Sequence, residues 1–303
     1  MRIVVTGASG FIGKPLCKAL VSRGDEVYGL HRHHQTDVRL SHERLLDLTH
    51  ENAVKILEEI DPEIIIHLAA DKTRVHPDSL FSQIVQNNIC MTLNLITALP
   101  RLKNIKKCIM LGSAQEYGET PFLFHEEMRE SPVSAYSSAK VCQTHLCQTA
   151  AKLYHIPFVF LRPSIVYGPF QESGMFIPDA IKSLSEDRVF EMTLGAQSRD
   201  FVHVSDVVKA ILLSLECLAA DNQIFNVGYG HSRTLSDVAD IIGEALHKTH
   251  LICKGAKAYR ACEMMHYHMD ITKARTLLGF TPEINLNEGI RRLCHRSVGG
   301  DPL

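Results

Sequence analysis

The feature that most constrains this chain is the alternation of short apolar runs with helical stretches through its first half. Ile3–Thr6 is a β-rich run, and Lys14–Arg23 reads as a helix with Pro15 suited to its first turn. Glu26–Leu30 is the next strand. A helix is predicted from Thr49, which can cap it, to Ile60, where Asp61-Pro62 ends it. Ile64–Leu68 is almost continuously apolar, broken only by His67, as expected of a strand buried on both faces. Ser79–Leu99 is a long helix, Cys108–Leu111 a strand, Ala135–Tyr154 a helix and Phe158–Leu161 a strand. Alternation of this kind predicts an α/β fold. It is a Rossmann-type doubly wound parallel sheet, because right-handed crossovers place helices on both faces.

After Tyr167-Gly168-Pro169 the rhythm changes. Helices over Phe176–Ser185, Ser205–Ala220, Leu235–His247, Ile271–Leu278 and Leu286–Leu293 mix with short strands, which predicts a smaller C-terminal α+β part. No internal repeat or flexible linker separates the two parts, so a site between them is expected.

Composition narrows the function classes. The 303 residues are 45% hydrophobic and 22% charged, ordinary for a globular chain, and the formal charge of −2 gives no basic field for nucleic acid or an anionic membrane. No run of about 18 apolar residues suggests a membrane span. Nine cysteines without a CxxC pair, and an N-terminus that enters a strand without a long apolar stretch, predict a cytoplasmic protein with reduced thiols. His31, His33 and His34 are crowded but lack acidic or cysteine neighbours, so they read as solvated histidines, and no metal is expected.

Ile3-Val4-Val5-Thr6-Gly7-Ala8-Ser9-Gly10-Phe11-Ile12-Gly13 is strand, glycine turn and helix start in one segment. Gly7 can make the tight turn, Gly10 can let backbone approach a pyrophosphate, and Gly13 can let the helix pack on the strand. The helix start offers free N–H groups and the positive end of its dipole to phosphate. An NAD site usually carries an acid after the second strand. Here that place holds His31-Arg32, and the arginine suits a 2′-phosphate, so NADP(H) is favoured with NAD(H) left open. Asp47-Leu48, after the third strand, is placed to meet the adenine edge. Leu68-Ala69-Ala70 ends the fourth strand with small residues, which leaves room for the cofactor to cross.

Tyr136 and Lys140 stand four apart on one helix face. A phenol of ordinary pKa, about 10, is a poor proton carrier at neutral pH, and a neighbouring ammonium favours the phenolate. Tyr136 can then exchange a proton with a sugar oxygen, while Lys140 also holds the nicotinamide ribose. Ser113 ends the buried strand about 23 residues earlier, where its hydroxyl can reach the reacting oxygen.

Together these residues resemble the extended short-chain dehydrogenase/reductase family of nucleotide-sugar epimerases, dehydratases and 4-ketoreductases. The resemblance covers nearly the whole chain. It extends to Gly112-Ser113-Ala114-Gln115-Glu116-Tyr117-Gly118, to Leu161-Arg162-Pro163-Ser164-Ile165-Val166-Tyr167-Gly168-Pro169, to Arg199–Val207, and to Phe225-Asn226-Val227-Gly228 and Leu278-Gly279-Phe280-Thr281-Pro282. It implies a cofactor-binding domain over 1–168, with a returning segment at about 199–227, and a mainly substrate-binding cap over 169–303. It implies a nucleotide-diphospho-sugar substrate contacted by Ser113, Ala114, Gln115, Arg199 and Arg260, and Pro163 at the cofactor. It also implies a homodimer through a four-helix bundle of the helices Ser79–Leu99 and Ala135–Tyr154.

Two departures bear on the reaction. The family's 4,6-dehydratases place an acid directly after the serine or threonine, where this chain has Ala114 and Gln115, and Glu116 is expected to point away from the pocket. Ile165 stands where many members have asparagine. With His31-Arg32, this favours reduction of a nucleotide-linked 4-keto-6-deoxy sugar by NADPH. A nucleotide-sugar 4-epimerase with bound NAD is the alternative, and a dehydratase or a non-catalytic dinucleotide sensor is less favoured.

Overall fold

The alternating runs build one parallel sheet clad on both sides. The computed structural model describes residues 1–32, 40–72, 80–260 and 263–298. In chain order its elements begin with β1 (Arg2–Thr6), α1 (Gly13–Ser22), β2 (Glu26–His31), β3 (His42–Leu45), α2 (Asn52–Ile60), β4 (Ile64–His67) and α3 (Phe81–Ala98). They continue with β5 (Lys107–Leu111), α4 (Ala135–Tyr154), β6 (Phe158–Pro163), β7 (Ile165–Tyr167), α5 (Phe176–Ser185), β8 (Phe190–Met192) and β9 (Ser198–His203). They end with α6 (Val204–Glu216), β10 (Ile224–Val227), β11 (Ser232–Thr234), α7 (Leu235–Leu246), β12 (Ile252–Lys254), α8 (Thr272–Leu277) and α9 (Leu286–Val298).

The main sheet runs β10-β6-β5-β4-β1-β2-β3, all parallel. This is the Rossmann-type doubly wound order expected of the alternation, with β10 as a seventh strand. Side chains alternate between two cores with a period of two. Ile3, Val5, Ile64, Ile66, Ile109, Leu111, Val159 and Leu161 face α1 and α6, while Val4, Ile65, Cys108, Met110, Phe158 and Phe160 face α2, α3 and α4. Both faces are apolar, so each strand reads as a continuous run. A one-residue slip is opposed by packing: it would place every side chain against the wrong layer.

The later part makes a three-stranded sheet β11-β9-β7 and a two-stranded pair β12-β8, packed with α5, α7 and α9 around Tyr167, Ile181, Phe201, Ile242 and Ile290. The chain also returns to the main sheet, where α6 covers one face and β10 pairs with β6.

Several boundaries differ from expectation; the last helix, for one, runs on past Leu293 to Val298. Thr49 does not cap α2; its N–H and hydroxyl both go to Asp47 Oδ1, at 2.9 and 2.8 Å, and the helix begins after Glu51 without a side-chain cap. The aspartate two residues back outcompetes the helix for the threonine. The helix predicted to run to Ala220 stops at Glu216, with a 3-10 turn over Leu218–Ala220. Among the described residues no helix is long and apolar enough to cross a membrane, and no cluster of three or more His, Cys, Asp or Glu could hold a metal ion. His33, His34 and Ser79 lie outside the described residues.

Candidate active site

The sheet order reverses between β1 and β4, and ligands of such sheets bind at the carboxyl ends of the strands on either side of that point. Gly7 follows β1 with φ +69°, and a Cβ on it would lie 2.9 Å from the Ala69 nitrogen of the segment after β4. The glycine turn and the small residues Leu68, Ala69 and Ala70 are therefore brought together. A Cβ on Gly13 would lie 2.1 Å from the Gly7 carbonyl oxygen, so the start of α1 rests directly on the turn. Phe11 and Ile12 are partly buried beside it. The first turn of α1 has neither a capping side chain nor an acid, and its positive end is left for an anion.

Thr6 and His67, which the sequence reading did not count as site residues, pin this crevice. Thr6 Oγ1 accepts from the N–H groups of Leu68 and Ala69, both at 3.2 Å, and lies 2.7 Å from His67 Nδ1. The hydroxyl proton is left to donate to Nδ1, which puts the imidazole proton on Nε2. Burial, with Lys140 nearby, pushes the His67 pKa down to about 3, so the ring stays neutral. The only trace of this in the sequence is the polar break in an apolar strand.

At the end of β2, His31 is buried, and both its ring nitrogens lack a hydrogen-bond partner. Arg32 is exposed. The sheet register sets His31 against Leu45, and Asp47, two residues past β3, lies within electrostatic reach of Arg32. Partial burial raises the Asp47 pKa, but the Thr49 bonds and the Arg32 charge together hold it below its ordinary value. Leu48 is buried under the same strand end.

Ser113 follows β5 and opens a 3-10 turn over Ala114–Tyr117. Its Oγ accepts from Gln115 N–H at 3.2 Å, and its own N–H donates to Glu116 Oε1 at 2.8 Å. As expected, the Glu116 carboxylate turns inward rather than into the pocket: it is fully buried. Tyr136 is placed by a capping box that brackets it, in which Ser134 Oγ accepts from Ser137 N–H at 3.1 Å and Ser137 Oγ from Ser134 N–H at 3.0 Å. One helical turn on, Lys140 Nζ donates to Leu111 O at 2.6 Å and to Gln143 Oε1 at 2.9 Å. It sits 5.8 Å from the centre of the Tyr136 ring. Burial pushes the Lys140 pKa down to about 8, against the raising influence of Glu116 and Cys147. Two of the three ammonium protons are used, and one is left for a ligand. Pro163 ends β6 in a buried position nearby.

The C-terminal part adds Tyr267, which sequence reasoning missed. It is buried against Ala114, Tyr117 and Phe124, and the Ser113 side chain and Tyr136 lie within its electrostatic reach. No local pattern marks a tyrosine about 130 residues further along the chain. Ala114 is packed in the same apolar cluster, while Gln115 is partly exposed. Arg199 is largely buried and ion-paired with Glu263, and Arg260 is exposed.

Comparison with known proteins agrees with this fold. The family model described as the NAD dependent epimerase/dehydratase family matches residues 3–228. A UDP-glucuronate 4-epimerase of Thermodesulfobacterium geofontis is 29% identical over 95% of this chain and 94% of its own. A CDP-abequose synthase of Salmonella muenchen is 28% identical, covering 96% of each chain. The crystal structure of a UDP-glucuronic acid 4-epimerase of Bacillus cereus, in complex with UDP-glucuronic acid and NAD, superposes with a TM-score of 0.88. It is 28% identical over 98% of this chain and 99% of that one.

Proposed function

This chain belongs to the NAD-dependent epimerase/dehydratase family, and we propose that within it the chain is a nucleotide-diphospho-sugar 4-epimerase that works with a bound NAD. One observation carries the reading: the Lys140 ammonium donates to Leu111 O at the end of β5, two residues before Ser113, and stands 5.8 Å from the centre of the Tyr136 ring. Full-length similarity to 4-epimerases supports the choice of reaction.

The residues present fit a dinucleotide. Gly7, Gly10 and Gly13 leave no side chain over the uncapped start of α1, and His31 offers two unpartnered ring nitrogens at the end of β2. Gly7, Gly10, Phe11, Ile12 and Gly13 would hold the pyrophosphate, and His31, Arg32, Asp47 and Leu48 the adenosine. Leu68, Ala69, Ala70 and Pro163 would line the crossing, and Lys140 the nicotinamide ribose. When bound, the nicotinamide accepts and returns the hydride.

Every other step belongs to side chains of this chain. The Tyr136 phenolate, favoured by the ammonium, takes the proton of the sugar 4-hydroxyl and later gives it back. Ser113 donates a hydrogen bond to that oxygen, and the water-poor surroundings of Lys140 keep its charge effective. Arg199 and Arg260 would hold the diphosphate. Ala114 and Gln115 supply no acid or base for eliminating water, which separates this site from a dehydratase. Beside the site, α3 and α4 pack against each other and expose Phe81, Leu93, Leu153 and Tyr154, an apolar face suited to a homodimer through a four-helix bundle.

A second reading has one observation in its favour. His31-Arg32 stands in place of the acid after β2, which suits exchangeable NADPH and the reduction of a 4-keto-6-deoxy sugar. Asp47 weighs against it, because its carboxylate sets a negative charge within electrostatic reach of Arg32, where a 2′-phosphate would add more. The deciding experiment denatures the purified protein, identifies any released nucleotide, and follows UDP-glucose and UDP-glucuronate by NMR without added cofactor. Released NAD with conversion at C4 is the expected result. A protein that carries no nucleotide, leaves both sugars unchanged and oxidises added NADPH with a 4-keto-6-deoxy sugar would overturn the epimerase reading.

A further inference from the structure

We propose that Glu116 is a positioning residue of the proton relay: one carboxylate oxygen fixes the Ser113 backbone, and the same group is the negative charge that the Lys140 ammonium faces. This rests on the reading of Ser113, Tyr136 and Lys140 as the relay. Glu116 Oε1 accepts from Ser113 N–H at 2.8 Å. Oε2 accepts from Arg162 Nε at 3.0 Å and Nη2 at 2.8 Å, and from the Thr144 hydroxyl of α4 at 3.1 Å. The carboxylate thus ties together β5, β6 and the helix that carries Tyr136 and Lys140.

Stability alone is a poor reason for this arrangement. Glu116 and Arg162 are both wholly buried, and a buried ion pair is usually no more stable than apolar residues of the same volume. The pair is also imperfect. Arg162 reaches Glu130 at 2.9 Å and stacks 4.7 Å over Tyr117, yet its Nη1 has no hydrogen-bond partner. A buried group left unsatisfied calls for a reason other than packing.

The surroundings of Lys140 supply the reason. The titratable groups facing it are Glu116 from the turn after β5, His67 from β4, and Tyr136 and Cys147 from α4 itself. His67 is neutral, and burial pushes the Cys147 thiol upward, so it too is uncharged at neutral pH. While Tyr136 carries its proton, Glu116 is the group among these that offsets the cost of burying the ammonium, and Leu111 O and Gln143 supply hydrogen bonds without charge.

The test compares Glu116→Gln, which keeps the shape and removes the charge, with Glu116→Asp, which keeps the charge and shortens the reach. Two readouts are taken. The first is the pH dependence of kcat, whose alkaline limb reports loss of the Lys140 proton. Glu116→Gln is expected to move that limb down by about one to two pH units, the usual effect of one close charge, and Glu116→Asp to leave it in place while lowering Tm. The second is the melting of the ligand-free protein against pH, which needs no sugar substrate. The folded-state pKa of Lys140 is depressed, so its burial weakens the fold fully below that pKa, and the penalty fades as pH rises from about 8 towards the unfolded value of about 10.4. Lowering it further makes the Tm deficit of Glu116→Gln largest near about pH 6.5 and smaller above about pH 8. Where Glu116→Gln does not fold, the double variant Glu116→Gln, Arg162→Gln is compared with Arg162→Gln alone, so that the loss of the Arg162–Glu130 pair is common to both, and is read in the same two ways. An unmoved alkaline limb together with a Tm deficit that is constant with pH would show a purely structural role and overturn the proposal. Absence of turnover in the parent protein would count against the epimerase reading alone, since the melting comparison is independent of it.

Discussion

The glycine turn makes a prediction that separates two roles held by residues three apart. A Cβ on Gly13 would sit 2.1 Å from Gly7 O and 2.7 Å from Ala8 O, well inside any tolerated contact. Both are backbone atoms, and the turn is tied down by Gly7 N–H to Leu30 O at 2.9 Å and Gly10 N–H to Gly7 O at 3.0 Å. Neither side can yield cheaply, so Gly13→Ala is expected to meet the upper part of the overpacking range, about 2–3 kcal/mol. Replacing a helical glycine by alanine returns about 1 kcal/mol. The net loss is about 1–2 kcal/mol, or a Tm lower by roughly 2–8 °C for a chain of this size. Gly10→Ala is different. Its Cβ meets only Gly7 O, at 3.1 Å, so the free protein should melt within about 2 °C of the parent. If a pyrophosphate crosses close over Gly10, the added methyl should still weaken NADH binding at least about tenfold, equivalent to about 1.4 kcal/mol. Thermal melting by circular dichroism and NADH fluorescence titration read the two effects separately. A Gly13→Ala protein that melts like the parent would refute the close packing of α1 on the turn. A Gly10→Ala protein that binds NADH like the parent would refute the path assigned to the pyrophosphate.

Three further outcomes are expected. Tyr136→Phe should lower turnover by about 10²–10⁴-fold, the usual worth of a positioned acid–base group, with NADH binding by fluorescence unchanged; retained turnover would remove Tyr136 from the relay. Thr6→Val should cost about 1–3 kcal/mol, because it strips the hydroxyl from His67 Nδ1 and from the Ala69 N–H, while the Leu68 N–H keeps the Thr6 carbonyl; a Tm equal to the parent's would show that the hydroxyl is dispensable. Burial pushes the Asp200 pKa up to about 6, despite bonds from Tyr229, Gly230 and His231 N–H and the Ser164 hydroxyl. A raised carboxyl stabilises the fold fully below its unfolded pKa, about 3.9, and loses that contribution as pH rises through about 6. Melting curves of Asp200→Asn should therefore lack a downward component that the parent shows between about pH 4 and 6, and parallel curves would count against that assignment.

How much of this was legible in the sequence follows from where the determinants lie. Strands β1, β4, β5 and β6 are buried on both faces, so their apolar runs announce themselves, and the glycine turn and the Tyr136–Lys140 spacing are properties of one turn or one helix face. What stayed hidden depends on neighbours across the sheet. The end of β2 reads as lacking an acid because its own segment has none. The register sets His31 against Leu45, and Asp47 past the next strand lies within electrostatic reach of Arg32, so the charge at a strand end is set by both. Tyr267 comes near Ser113 from a segment whose local sequence says nothing of a destination.

Glu116 is the sharpest case, because the sequence places it correctly and still undervalues it. Counted along a strand, it stands beyond the position where a dehydratase carries its acid, and its side chain reads as spent. The residues after Ser113 form a 3-10 turn instead, with about three residues per turn, so positions three apart stack over one another. Glu116 is therefore carried back beneath Ser113 rather than past it. Its carboxylate reaches the Ser113 N–H and meets Arg162 and Thr144, on the two elements that flank the relay. The same turn that withholds an acid from the pocket thus delivers one to the buried side of the site. An enzyme that only moves a proton and a hydride can use a charge there, where it faces Lys140 and never touches the sugar.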